Sequence, residues 1–162
     1  MLEIDGSYGE GGGQVLRTAL SLSCLTGTPF RIRNIRLGRR KPGLMPQHLA
    51  AVRAVQVISG ATVQDAGPGS TMLGFHPRTV QGGTFEFHIG TAGSVTLLLQ
   101  SLIPPLLCAG CTSLVTITGG THVPFSPPAD YLAEVFAPML RRIGGEVRLT
   151  IDAYGFYPRG GG

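Results

Sequence analysis

A glycine-rich turn, Gly9–Gly13, leads directly into an apolar helical pattern. Because glycine has no Cβ, the backbone of such a turn can approach a phosphate closely and offer free N–H groups at a helix start. The residues that follow the turn carry positive charges without compensating negative ones, which predicts a site for a phosphate or another polyanion. The alternative is a solvated basic face beside ordinary loop glycines. Residues 11–64 contain no Asp or Glu but eight cations: Arg17, Arg31, Arg33, Arg36, Arg39, Arg40, Lys41 and Arg53.

Four of these cations lie together between Arg36 and Lys41, in a loop that connects a predicted strand to a predicted helix. Twelve of the 13 basic residues are Arg, whose planar guanidinium can bind phosphate oxygens with two parallel hydrogen bonds. Gln47 and His48 begin the next helix, within reach of this loop. His48 could donate a hydrogen bond to a phosphate or polarise it; otherwise it is a surface or capping residue. The familiar glycine-rich nucleotide motifs are absent, so a nucleotide site would have to be built differently.

The second half of the chain again places a small-residue turn, residues 90–94, before a helix. Gln100 is the one long polar side chain in the apolar stretch Val95–Leu107. A buried amide needs partners, so we expect Gln100 to be either a satisfied core group or a group that reads a base. The rigid loop 119–130 is equally consistent with scaffold and with a ligand wall.

No metal or nucleophile signature accompanies these residues. Cys108 and Cys111 have C-x-x-C spacing, but they follow a helical run instead of starting a helix, so together with Cys24 they are expected to be inert, partly buried thiols. No Ser-His-Asp or Cys-His set is visible. Three of the four histidines have no carboxylate or cysteine at ligand spacing, which predicts no metal cage: His76, His88 and His122.

The composition is that of a globular protein. The chain has 162 residues, 43% of them hydrophobic and 14% charged, which is enough to bury a core. A net charge of +4 is small for a protein that covers nucleic acid along its length, and it suggests a local anion site instead. No signal peptide is visible, and Gln100, Ser101, Pro104 and Pro105 interrupt the longest apolar stretch, so we expect a cytoplasmic protein without a membrane partner.

The chain consists of two similar units, 1–81 and 82–162. Gly74-Phe-His-Pro-Arg78 in the first unit recurs as Gly155-Phe-Tyr-Pro-Arg159 in the second. Periodicity and turn residues predict the same order of elements in both. In the first unit these are strand Leu2–Asp5, helix Gln14–Leu25, strand Phe30–Ile35, helix Pro46–Ser59, strand Thr62–Asp65 and strand Met72–His76. In the second they are strand Thr84–Ile89, helix Ser94–Ile103, strand Leu114–Thr118, helix Pro127–Ile143, strand Glu146–Ile151 and strand Tyr154–Tyr157.

Each unit is therefore predicted as β-α-β-α-β-β, an α+β fold with helices packed on one face of a four-stranded mixed sheet. Two such units side by side should bury a common core. Pro104 and Pro105 are expected to end or kink the third helix, because proline lacks an N–H donor and clashes with the preceding turn.

These motifs resemble the N-terminal part of the RNA 3′-terminal phosphate cyclases. The resemblance implies tandem repeats like the C-terminal domain of translation initiation factor 3, a fold shared more distantly with the enolpyruvyl transferases. It spans the whole chain in order and spacing, and it rests on these segments: Asp5-Gly6 with residues 9–17, residues 35–44, residues 47–52, residues 90–94 through Gln100, residues 119–121 with 127–130, and residues 155–162.

The resemblance also implies a reaction. Members of the family use ATP to adenylylate a histidine, pass AMP to an RNA 3′-phosphate, and let the neighbouring 2′-hydroxyl close a 2′,3′-cyclic phosphate. AMP turns one oxygen of a poorly electrophilic phosphate into a leaving group. ATP and a divalent metal (Mg or Mn) are the implied cofactors, and RNA 3′-phosphate ends are the implied partners. By match, Glu10 would lie near the metal or the phosphate, the phosphate and RNA end would be lined by Arg17, Arg36, Arg39, Gln47 and His48, and the nucleotide would be bordered by Gln100, Pro127 and Pro128.

The chain departs from the family pattern in its length. Family members are about twice as long, and their adenylylated histidine lies in their C-terminal part. None of the four histidines of this chain matches that histidine. We therefore expect the first two units of such an enzyme, inactive alone, with a C-terminal half or a homo-oligomer as possible partner. The alternatives are a non-catalytic cyclase-like protein of RNA processing or ribosome biogenesis and a relative of the enolpyruvyl transferases.

Overall fold

A computed structural model describes all residues, 1–162. The elements of the first unit are β1 (Leu2–Asp5), α1 (Gly13–Thr26), β2 (Phe30–Arg33), α2 (Pro46–Ser59), β3 (Thr62–Gln64) and β4 (Leu73–His76). The four strands form one sheet in the order β1-β2-β4-β3, in which β1 is parallel to β2 and β4 is antiparallel to both of its neighbours. This is the β-α-β-α-β-β unit with a mixed sheet that the sequence predicts.

The core of the first unit follows from the spacing of its apolar residues. Phe30 and Phe75 lie opposite each other on paired strands, with their rings stacked at 5.7 Å between centroids. On α2 one apolar stripe is fully or almost fully buried, and Gly60 ends the helix with φ 59°, a conformation that glycine adopts without strain. That stripe consists of Leu49, Val52, Val55 and Ile58.

The second unit contains β5 (Thr84–His88), α3 (Val95–Leu107), β6 (Leu114–Thr118), α4 (Ala129–Tyr131), a π-helical segment (Leu132–Phe136) and α5 (Ala137–Arg142). Helix α3 packs against both α1 and α2, so that Leu98 and Leu102 belong to the same hydrophobic cluster as Leu16 and Val55. The prediction of one common core for the two units is therefore confirmed.

The second sheet differs from the prediction because it has two parallel strands, β5 and β6, instead of four. Residues 146–153 form no backbone hydrogen bond, and the marker segment 154–157 lies beyond the end of β6 instead of alongside it. Thr121 holds it there: the Thr121 N–H donates to Gly155 O at 2.8 Å, and the Gly155 N–H donates to Thr121 Oγ1 at 2.9 Å. Gly74, by contrast, lies inside β4 opposite Arg31. The predicted four-stranded second sheet is wrong, and a tandem repeat of equivalent units is not confirmed.

Two smaller predictions are also wrong. Helix α3 continues through Pro104 and Pro105 to Leu107 instead of ending at Ile103, because both prolines lie in its last turn, where few residues follow that they could disrupt. Strand β2 ends at Arg33 instead of residue 35, because Asn34 and Arg36 have positive φ angles of 56° and 55°. The long helix predicted over 127–143 is present as the continuous run of α4, the π-helical segment and α5.

The three cysteines are free thiols. Cys24 is partly buried, and burial raises the pKa of its thiol. Cys108 and Cys111 are exposed, so the expectation of partial burial is wrong for these two. None of the helices is long and apolar enough to cross a membrane.

Hydrogen exchange distinguishes the observed second sheet from the predicted one. We expect the amides of residues 146–151 to exchange at rates close to those of an unstructured peptide, because no backbone acceptor protects them. The paired strand Leu73–His76 of the first unit is the matched control and should exchange slowly. Mass spectrometry after deuterium labelling measures both segments together, and equal protection of the two would show that residues 146–151 form a strand.

Candidate anion-binding site

The glycine turn forms a concentrated set of backbone donors. Gly9 and Gly11 have φ angles of 63° and 55°, and helix α1 begins at Gly13 without a side-chain cap. The N–H groups of Gly12, Gly13 and Gln14 have no hydrogen-bond acceptor within the protein. Free N–H groups and the positive end of the helix dipole together favour an anion at this point.

Arg17 is a buried cation without a carboxylate partner. Its side chain lies one helical turn after Gly13, and the residue is 8% exposed. Its Nη2 donates to Gln14 Oε1 at 3.1 Å and its Nε donates to Gln100 Oε1 at 3.5 Å. Burial lowers the pKa of Arg17, but a guanidinium stays charged at neutral pH. Two amide oxygens leave this charge uncompensated, so an anion would supply the missing partner.

His48 faces the glycine turn as a neutral hydrogen-bond donor. The residue is 2% exposed, and its Nδ1 accepts the Met45 N–H at 3.1 Å, which places the proton of the neutral ring on Nε2. Burial, followed by the charges of Arg36 and Arg17, lowers the pKa of His48 from 6.5 to about 4. Nε2 makes no hydrogen bond within the protein.

Glycine is required at position 13 because the His48 ring and Arg17 converge on it. A Cβ at Gly13 would overlap His48 Nε2, lie 2.6 Å from His48 Cδ2 and lie 2.8 Å from Arg17 Nη1. The turn therefore brings its N–H groups, the imidazole and the guanidinium around one small space.

The loop of residues 36–41, here called the basic loop, lies next to the glycine turn. Arg36 Nη1 donates to the carbonyl oxygens of Lys41 at 2.8 Å and Gly43 at 3.0 Å, which shapes the loop. Burial, and after it the charge of Arg39, lowers the pKa of Arg36. Arg39 Nη2 lies 3.3 Å from the position of a Cβ on Gly12 and 3.2 Å from Glu10 Oε2. Glu10 is almost fully exposed and is the single carboxylate paired with a cation of this loop.

The remaining predicted residues lie to one side of this cluster. Gln47 is exposed, and its Cβ lies 3.0 Å from the position of a Cβ on Gly93, so it contacts the turn of the second unit. Gln100 is exposed, which corrects the expectation of burial, and it contacts Arg17 across α1 and α3. Pro127 and Pro128 are also exposed; Thr96, one turn before Gln100, donates to Pro127 O at 2.8 Å.

Two carboxylate contacts were missed by spacing alone. His122 Nε2 lies 2.7 Å from Asp130 Oδ2, and His88 Nε2 lies 3.1 Å from Glu86 Oε1. The second pair could have been anticipated, because residues two apart on a strand share a face. Each is a pair only, and no group of three possible metal ligands occurs in the chain. Gln14 was also missed, although its position three residues before Arg17 on a helix is a usable signal.

Comparison with known proteins identifies the family. Residues 8–162 match the profile of the family described as RNA 3′-terminal phosphate cyclase. The chain belongs to the RNA 3′-terminal phosphate cyclase family. It is 55% identical over 161 residues to a protein named RNA 3′-terminal phosphate cyclase from Ralstonia nicotianae, covering 99% of this chain and 46% of that protein.

Proteins of the same name from Archaeoglobus fulgidus and Koribacter versatilis are 53% and 54% identical, each over the whole chain and over 49% and 46% of their own lengths. The chain therefore spans about half the length of the curated relatives that it matches. The family resemblance noted in the sequence is confirmed.

The lowered pKa of His48 predicts a pH dependence of stability. Between pH 6.5 and about 4 the unfolded chain binds a proton at His48 that the folded chain does not, so the free energy of unfolding falls as the pH falls through this range. The expected loss between about pH 7 and about pH 4 is about 3 kcal/mol, from about 1.4 kcal/mol per unit of pKa.

His48→Asn is the matched variant, because its amide oxygen can accept the Met45 N–H without titrating. Urea unfolding of both proteins across this pH range measures the difference. If the free energy of unfolding depends on pH in the same way in both proteins, His48 is not held neutral by the fold.

Proposed function

We propose that this chain forms the phosphate-binding part of an enzyme that converts an RNA 3′-phosphate end into a 2′,3′-cyclic phosphate in an ATP-dependent reaction. The observation that carries the proposal is the buried Arg17 guanidinium with no carboxylate partner, faced by the His48 Nε2–H and by free N–H groups of the glycine turn. Membership of the cyclase family supports RNA as the source of the phosphate.

The proposed chemistry is ring closure at phosphorus. The 2′-oxygen forms a bond to the phosphorus of the neighbouring 3′-phosphate, and an oxygen of that phosphate leaves. Such an oxygen is a poor leaving group. ATP as co-substrate would transfer its adenylyl group to that oxygen and release pyrophosphate, so that AMP leaves when the ring closes and the 2′-hydroxyl proton passes to solvent. In this chain, Arg17, Arg39 and the turn would hold the non-bridging oxygens and stabilise their charge, because donors fixed in advance need no reorganisation during reaction.

The nucleotide and the metal fit the chain to different degrees. Gln100, Pro127 and Pro128 lie along one side of α3, next to Arg17, which is compatible with a nucleotide whose phosphates reach the turn. Glu10 is an exposed carboxylate already paired with Arg39, and no second acidic ligand accompanies it. A divalent cation usually takes several oxygen ligands, so the residues present do not form a metal site and no step is assigned to a metal.

The anion site predicts a preference for a 3′-phosphate. Arg39→Ala should weaken binding of an oligonucleotide that ends in a 3′-phosphate by about 1.5–3 kcal/mol, the scale of one hydrogen bond to a charged group. Arg141→Ala, at the end of α5 and outside the site, should change little. Titration of 3′-phosphate and 3′-hydroxyl oligonucleotides against both variants measures this. Equal affinities throughout would show that the cations of residues 11–64 form only a solvated basic face.

The chain should form no covalent adduct with AMP. The most buried histidine of the site, His48, uses its Nδ1 lone pair to accept the Met45 N–H and carries its proton on Nε2, so neither ring nitrogen presents a free lone pair. Incubation with labelled ATP and Mg²⁺, followed by denaturing electrophoresis, tests all four histidines together, and we expect no labelled protein. A label that disappears on mutating one of the four histidines would identify that histidine as a nucleophile.

A further inference from the structure

Exposed aromatic rings are concentrated in the second unit. Of the six aromatic residues with strongly exposed side chains, one, Tyr8, lies in the first unit and five lie between residues 125 and 157. Tyr154 and Phe156 of this set form one cluster with His122: the His122 ring lies 5.3 Å from each of them, and the two rings lie 6.4 Å apart between centroids. Tyr154 and Phe156 are each 56% exposed, so their contacts with one another leave faces open to solvent.

Hydrogen bonds, not burial, hold this cluster. Asp130 accepts from Tyr154 OH at 3.1 Å and lies 2.7 Å from His122 Nε2, so one carboxylate orients two rings. Thr121 fixes the backbone between Tyr154 and Phe156 through its bonds to Gly155. Rings that are fixed in place while their faces remain hydrated present a preorganised surface for a flat partner.

A cation lies beside the rings. The Gly160 N–H donates to Phe156 O at 2.8 Å and closes a small loop, at whose tip are the exposed residues Tyr157 and Arg159. Arg159 has no carboxylate partner. Aromatic faces for bases together with a free cation for the backbone are the combination that single-stranded nucleic acid binds.

This cluster is connected to the anion site through the loop that follows it. The Ala129 N–H donates to Thr121 O at 3.0 Å, and Thr96 Oγ1 donates to Pro127 O. Thr96 lies one helical turn from Gln100, which contacts Arg17. A series of contacts through Gln100, Thr96, Pro127 and Thr121 therefore links Arg17 to the ring cluster.

We propose that His122, Tyr154 and Phe156 form a stacking platform for a nucleobase of a single-stranded RNA whose 3′-phosphate is bound at the anion site. The choice of RNA over another ligand with a flat ring rests on the function proposed above. The platform binds a base of the strand upstream of its end, while Arg17 and the glycine turn bind the terminal phosphate.

Phe156→Leu tests the platform, because it keeps an apolar side chain and removes the ring. We expect it to weaken binding of a single-stranded RNA of about ten nucleotides by about tenfold or more, the scale of one lost base–aromatic stack. Binding of a 3′-phosphorylated mononucleotide and of ATP should be unchanged. Tyr154→Leu should act in the same direction, and Phe156→Tyr should restore the affinity. Fluorescence anisotropy of labelled RNA, with unlabelled nucleotides as competitors, measures all of these.

Phe125→Leu is the matched control, since Phe125 is a fully exposed ring outside the cluster. An equal loss of affinity in this variant, or no loss in Phe156→Leu and Tyr154→Leu, would overturn the platform. An equal loss of affinity for mononucleotides would show that the rings bind a free nucleotide, which would also overturn the platform. Oligonucleotides with a 3′-hydroxyl separate the two proposals: a ring effect without any preference for a 3′-phosphate leaves the platform standing and removes the proposed function of the anion site.

Discussion

The arrangement of the site depends on the charge of Arg17. Its side chain extends from α1 to Gln100 on α3, and its only partners are the amide oxygens of Gln14 and Gln100. A buried cation of this kind destabilises a fold unless an anion compensates it. Its neighbours are compatible with it because they are small or neutral: Gly13 leaves room for the guanidinium, and His48 stays unprotonated beside it. The unfavourable electrostatics of the free protein are thus the same property that would make a phosphate bind.

The common core of the two units offsets the destabilisation by the buried Arg17 charge. Helix α3 packs against α1 and α2 with apolar side chains from both units, so the residues that carry the site stand on elements fixed by burial. The basic loop is held differently, by Arg36 donating to two carbonyl oxygens of its own loop. Arg36 therefore shapes the loop and contributes to the low pKa of His48, whereas Arg39 reaches Glu10 and Gly12.

The first unit could be predicted almost completely from the sequence, because each of its elements is specified by local signals. The stripe on α2, Gly60 at its end and the glycine turn before α1 all act within a few residues. The second sheet could not be predicted, because the alternation of residues 146–151 indicates an extended chain and says nothing about which edge accepts it. The site shows the same division. The hydrogen-bond donors on α1 can be recognised in the sequence, as a glycine turn followed by Arg17. The approach of Arg39 to Glu10, 29 residues away, depends instead on the path of the chain from β2 into the basic loop.

Thr121 holds the end of the second unit in a position different from that of its counterpart in the first, although β5, α3 and β6 repeat the parallel arrangement of β1, α1 and β2. In the first unit the segment that contains Gly74 is an inner strand of the sheet, with neighbours on both edges. In the second, Thr121 takes both backbone groups of Gly155, and its own carbonyl accepts the N–H of Ala129 at the start of α4. One threonine thereby joins the loop that contains Pro127 to the segment that contains Tyr154 and Phe156. The residues that would complete a sheet by analogy with the first unit instead form a surface, and β6 keeps an open edge beside it.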